Sequence, residues 1–183
     1  MLHECIRSAV IIVAYGSIPA DNPLAAGRDR SFDAGTMNSL VAPDLWKKVL
    51  VPTDFSECSL PGLRAAVEMH QRTGVEVCLL HVTEPAFEGL RVQTGDLHKQ
   101  MDHAAREELR KLAKKHFPHA SGLRQLVMEG RPADVICRTA ADEHVDAIII
   151  PTHGHSGLKH VLLGSVAEKV VRHAPCSVLV VRD

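Results

Sequence analysis

Pro151-Thr152-His153-Gly154-His155-Ser156-Gly157-Leu158-Lys159-His160-Val161-Leu162-Leu163-Gly164-Ser165 is the stretch on which the reading of this chain turns. It follows Ala147-Ile148-Ile149-Ile150, an apolar run too short for a helix and rich in β-branched residues, the pattern of a strand buried on both faces. Behind it, Ser165 and Glu168 stand in the S-x-x-E relation of a capping box, and Val166, Val170, Val171 and Ala174 form the apolar side of a helix. Strand, glycine-bearing loop and helix start bring unpaired backbone N–H groups and the positive end of a helix to one place, an arrangement suited to phosphate.

Neither common phosphate loop is present. A Walker loop ends in Gly-Lys-Ser/Thr, and the dinucleotide fingerprint sets G-x-G-x-x-G directly after its strand. Here Pro151 is followed by Gly154 and, after nine further residues, by Gly164-Ser165. Proline fixes φ and lacks an N–H, so Pro151 can supply neither an amide nor a positive φ to a ligand.

Outward from the loop, the chain alternates strands and helices. Lys47–Pro52 reads as a first strand, and Thr53-Asp54-Phe55-Ser56 as a turn whose serine can cap the next helix. That helix carries Leu60, Leu63 and Val67 on one stripe and is ended by Gly74. Val75–Val82 is a second strand. A second helix turns Leu97, Met101, Ala104, Ala105, Leu109 and Leu112 inward, shows a charged outer face, and stops before Pro118. Leu123–Met128 is a third strand, and Pro132 opens a third helix with Ala133, Ile136, Cys137 and Ala140 inside. Asp146–Ile150 and Ser177–Val181 are the fourth and fifth strands. This alternation predicts an α/β fold: a five-stranded parallel sheet, doubly wound and Rossmann-like, with helices on both faces.

A chain of 183 residues with 45% hydrophobic composition suits one such domain, placed at 46–183. The formal net charge of −1 points to neither nucleic acid nor an anionic membrane surface as partner, and no run approaches the ~20 apolar residues of a membrane span. The five cysteines are odd in number and scattered, which fits reduced cytoplasmic thiols, several of them small core residues. Residues 1–45 form an N-terminal extension. Its Ser8–Tyr15 segment includes an apolar run, but His3 and Glu4 spoil the basic leader of an export signal. Residues 16–36, rich in Gly, Pro, Asp, Ala and Ser, are expected to be poorly ordered. Natural translation is expected to start at Met37; a full-length intact mass for the protein from its own cell would refute this.

Several segments in order resemble the universal stress protein family: Val49–Ser56, Leu80-His81-Val82, Gly130–Ala133, Thr152-His153-Gly154, Leu163–Val170 and Ala174–Arg182. The family loop is G-x2-G-x9-G-S/T; Gly154, Gly164 and Ser165 match it, and Pro151 replaces its first glycine. The resemblance covers roughly residues 45–182 and implies the strand order 3-2-1-4-5, which sets the crevice between the first and fourth strands. It further implies a cytoplasmic stress-response protein that binds ATP or another adenine nucleotide (ADP, AMP), with magnesium as an accompanying ion. Pro52, Thr53 and Asp54 match positions that contact adenine and ribose in nucleotide-binding members, and Val82 the adenine wall. Thr152, Gly154, Gly157, Gly164, Ser165 and Val166 fall on the phosphate loop and helix start. A homodimer through Ser177–Val181 and an unknown regulatory protein partner are also implied.

Single residues keep two readings. Asp54 either accepts from ribose or bonds its own turn. Ser165 can cap its helix or meet a phosphate. Lys159 reaches a phosphate or points to water, and His153, His155 and His160 are exposed imidazoles rather than a metal set. No nucleophile–base pair stands at the crevice, so an enzyme is not expected. The alternatives are an interaction module of the same family that binds no nucleotide, and a weak ATP hydrolase.

Overall fold

The computed structural model describes residues 9–10, 46–84, 95–118, 120, 123–152 and 163–181. Its strands are β1 (Ala9–Val10), β2 (Lys48–Pro52), β3 (Glu76–Thr83), β4 (Arg124–Glu129), β5 (Ala147–Pro151) and β6 (Ser177–Val181). Its α-helices are α1 (Leu60–Thr73), α2 (Gly95–His116), α3 (Pro132–Asp142) and α4 (Ser165–His173), and a short 3-10 turn, Glu57–Ser59, precedes α1. Residues 16–36, Gly154, Gly157, Lys159 and the three loop histidines lie outside the described residues.

The sheet runs β1-β6-β5-β2-β3-β4. β2 to β6 are parallel throughout and, numbered among themselves, give the expected order 3-2-1-4-5. β1 is an addition: it lies antiparallel on β6, with Ala9 opposite Val181 and Val10 opposite Val180.

Alternation along each strand divides the core into two. Val49, Val51, Val77, Leu79, Ile149 and Leu179 pack with Leu63 and Ala66 of α1 and Ala105, Leu109 and Ala113 of α2. Leu50, Cys78, Leu80, Ile148, Ile150, Val178 and Val180 face Ala133, Ile136 and Ala140 of α3 and Ala167 and Val170 of α4. The inward stripe of α2 differs from expectation: Ala105, Leu109, Ala113 and Phe117 are buried, whereas Ala104 is exposed and Met101 is 42% exposed. Met101 keeps the phase of the stripe, so the packed part of the helix begins one turn later. The stop of α1 is as expected, with Gly74 at φ +73° donating its N–H to His70 C=O (2.9 Å).

The serine caps are not formed. Ser56 and Ser59 precede helical turns without a side-chain cap bond; the Ser56 hydroxyl donates to Asp54 Oδ1 instead. α4 begins after Gly164 rather than Ser165, and the capping box is replaced by a backbone bond from Glu168 N–H to Gly164 C=O (2.9 Å). The Glu168 carboxylate pairs with Arg172 (3.0 Å) along the exposed helix face.

At the amino ends of the strands, the Asp146 carboxylate accepts the N–H groups of Lys47 (2.7 Å) and Lys48 (2.9 Å). Glu143, just past α3, joins Lys48 (2.8 Å) and Arg124 (2.7 Å), tying β2 and β4 to that helix. The Lys48 hydrogen bond, and then the charges of Lys48 and Arg124, hold the Glu143 carboxyl below its ordinary range. A lowered folded-state pKa contributes stability above the unfolded value, and that stability is lost as pH falls through the folded value. Glu143→Gln is therefore expected to cost about 1–2 kcal/mol at neutral pH. The difference from wild type should shrink as urea melts are repeated below pH ~4; a pH-independent difference would refute the assignment.

Candidate functional site: the crevice between β2 and β5

β2 and β5 are adjacent and parallel, with Val49 opposite Ala147 and Leu50 opposite Ile148, so the segments that leave their carboxyl ends start side by side. The strand order reverses at this pair, which makes it the topological switch point of the sheet.

Pro52 is the buried last residue of β2, opposite Leu80. Thr53 N–H donates to Leu80 C=O (2.8 Å), and its side chain is buried. Ser59 Oγ gives its single proton to Ser56 C=O (2.8 Å), so Thr53 Oγ1 must be the donor in its 3.0 Å contact with Ser59 Oγ. The same Oγ1 accepts the Phe55 N–H (3.1 Å). Asp54 Oδ1 accepts from both the N–H (3.0 Å) and the hydroxyl of Ser56. The turn reading of Asp54 thus holds for this oxygen, and the Thr53 hydroxyl is used to build the turn.

Two residues here were not singled out from the sequence. Phe55 sits at φ +63°, uncommon for a residue with a Cβ, and its ring stacks on His81 with centroids 4.1 Å apart. His81 Nδ1 lies 2.9 Å from Thr53 C=O; a carbonyl only accepts, so this nitrogen carries the proton. Nothing local in the sequence signals a left-handed phenylalanine; the stack across to β3 holds it.

On the β5 side, Pro151 ends the strand and is buried. A Cβ added to Gly62 of α1 would lie 3.4 Å from Pro151 Cδ, so the proline ring packs beneath the start of α1. Val82, Leu163 and Val166 are half-buried against the core on the other face of the sheet, the α3–α4 side. Thr152, buried, donates its N–H to Val181 C=O (2.9 Å) and accepts the Gly164 N–H (2.7 Å), which fastens the start of α4 to the end of β5. By helix geometry the amides of Ser165, Val166 and Ala167 have no carbonyl within α4 to bond. Ser165 is exposed and its hydroxyl makes no cap bond.

This end of the sheet therefore joins an apolar wall, an acidic turn and the amino end of a helix. Helix amides of this kind suit an anion, and an apolar wall beside them suits a flat uncharged group. Among the described residues no group of three or more His, Cys, Asp or Glu could hold a metal ion. The described thiols are free; burial pushes Cys78 up to about 11 and Cys176 up to about 12, far from a reactive thiolate.

The fold defines a doubly wound α/β domain with a crevice at its switch point. Residues 45–182 match the universal stress protein family, and the chain belongs to that family. It is 32% identical over 151 residues to universal stress protein MJ0531 of Methanocaldococcus jannaschii, covering 80% of this chain and 89% of that protein. The solved structure of MJ0577 from the same organism superposes with a TM-score of 0.68 at 32% identity, covering 75% of this chain and 96% of that one. A universal stress protein solved in complex with cAMP shares the fold, with a TM-score of 0.56 at 24% identity over 74% of this chain and 97% of that one. Among the described residues no helix is long and apolar enough to cross a membrane.

Proposed function

We propose that this chain is a cytoplasmic regulator of the stress response that binds ATP, ADP or AMP in the crevice between the carboxyl ends of β2 and β5. It acts by binding rather than by catalysis, in a domain that starts near residue 45, and its dimeric form pairs two copies of β6. Pro52, Asp54 and Val82 take the nucleoside; Gly164, Ser165 and Val166 take phosphate, together with the loop that holds Thr152, Gly154 and Gly157. One observation supports this reading: the Pro151 ring packs against Gly62 on the α1 side of the sheet, the side away from Val82 and the first amides of α4.

A second reading has its own support. Pro151 removes one amide from the loop, and the Thr53 hydroxyl and one Asp54 oxygen are bonded within their turn, as an interaction module without a ligand would have them. One experiment separates the two. The purified protein is denatured and assayed for released adenine nucleotide, then the apo chain is titrated with ATP, ADP and AMP, with and without magnesium. Binding below about 1 mM supports the nucleotide reading; a flat titration to that level favours the module.

A further inference from the structure

β6 has the sequence of an interior strand, yet in the five-stranded parallel core it is the outermost one. Val178, Leu179 and Val180 are buried by the helices above and below, so no charged side chain guards this edge. The opposite edge is managed differently: β4 exposes Arg124, Gln125 and Glu129. An apolar strand with open backbone groups on one side is a template for a further strand. The chain supplies one itself, since Ala9 and Val10 lie antiparallel opposite Val181 and Val180.

We propose that the N-terminal extension belongs to the working protein, against the start at Met37 expected from sequence, and that its short strand covers, within one molecule, the edge through which two copies of the chain would pair, so that its release controls dimerisation. The geometry makes the two states exclusive. A two-fold axis through Leu179, the middle of β6, would pair Val180 with the partner's Val178 and Val181 with the partner's Ser177, and the reverse. β1 takes Val180 and Val181 in each copy, which blocks four of these five pairs and spares only Leu179 with its symmetry mate. Being on the same chain, β1 meets β6 in an intramolecular contact that dilution does not weaken, whereas pairing with a second copy falls off with concentration. Two residues make a weak clasp, which suits a contact that must open. The inference uses the β6 dimer of the preceding section but is independent of whether nucleotide binds.

The test compares the full chain with its Ala9→Pro/Val10→Pro variant by sedimentation velocity at about 10 µM. Two prolines remove both strand N–H groups and cannot extend the ladder. The wild type is expected at the mass of one chain and the variant at twice that mass. A wild type already dimeric, or a variant that stays monomeric, overturns the proposal. Because a variant could fail for other reasons, a second readout is direct: full-chain Ala9→Cys/Val181→Cys is oxidised and peptide-mapped. A 9–181 disulfide within single chains is expected; its absence, or its formation only between chains, overturns the proposal. ATP titration of the same proteins reports on the crevice separately, so the failure of one reading is not mistaken for failure of the other.

Discussion

Ser165→Asp is expected to weaken ATP binding by roughly 5- to 150-fold without lowering stability. Ser165 is the first residue of α4; it is exposed, and its hydroxyl bonds nothing in the helix start. A carboxylate in the first turn opposes the positive helix end favourably, by roughly 0.3–1 kcal/mol, so the fold should be unchanged or slightly more stable. A phosphate held by the same amides would lie about 5 Å from the new charge. At an effective dielectric between that of a protein surface and water, the repulsion is about 1–3 kcal/mol, or roughly 5- to 150-fold in affinity. Calorimetric titration beside a thermal melt checks both halves. An unaltered affinity in a protein whose wild type binds ATP would mean that the phosphates do not rest on α4. Ser165→Ala is the control: if the amides do the holding, it should change affinity by less than about threefold.

Gly130→Ala should be the most damaging small substitution outside the core. Gly130 turns the chain from β4 into α3 at φ +144°, where side chains are rarely accommodated, and its N–H donates to Thr83 C=O (3.0 Å). A Cβ there would come within 2.8 Å of Cγ2 of Val135, itself only 2% exposed and fixed in the α3 face of the core. Backbone strain and the displaced valine together should cost about 2–4 kcal/mol and lower the melting temperature by about 10 °C. Gly74→Ala is the comparison. It also sits at positive φ, but nothing lies within 4 Å of its added Cβ, so it should lose only about 1 kcal/mol. Equal effects at the two glycines would show that the contact with Val135 adds nothing.

The elements were readable because their signals are local. Val178 to Val181, Ala147 to Ile150 and the Met101, Ala105, Leu109 spacing announce strand and helix from within a few residues, and Gly74 marks a helix end by its own backbone freedom. The candidate site was legible only in part. Thr53 to Ser56 read as a turn, but its internal bonding and the left-handed Phe55 depend on Ser59 and on His81, 26 residues further along. The S-x-x-E pattern at Ser165 suggested a cap that did not form, since Thr152 draws the Gly164 amide to itself and sets the helix start one residue earlier.

By itself the sequence determined an α/β chain of alternating strands and helices, and its loop spacing, with the segments around it, tied it to a family and hence to a strand order. It also determined that the loop begins without an amide, because proline has none wherever it is placed. Only the tertiary structure decided on which side of the sheet that ring falls and what lies along the outer edge of β6. Both depend on contacts between residues far apart in the chain, Gly62 with Pro151 and Ala9 with Val181, and no local periodicity encodes such a meeting.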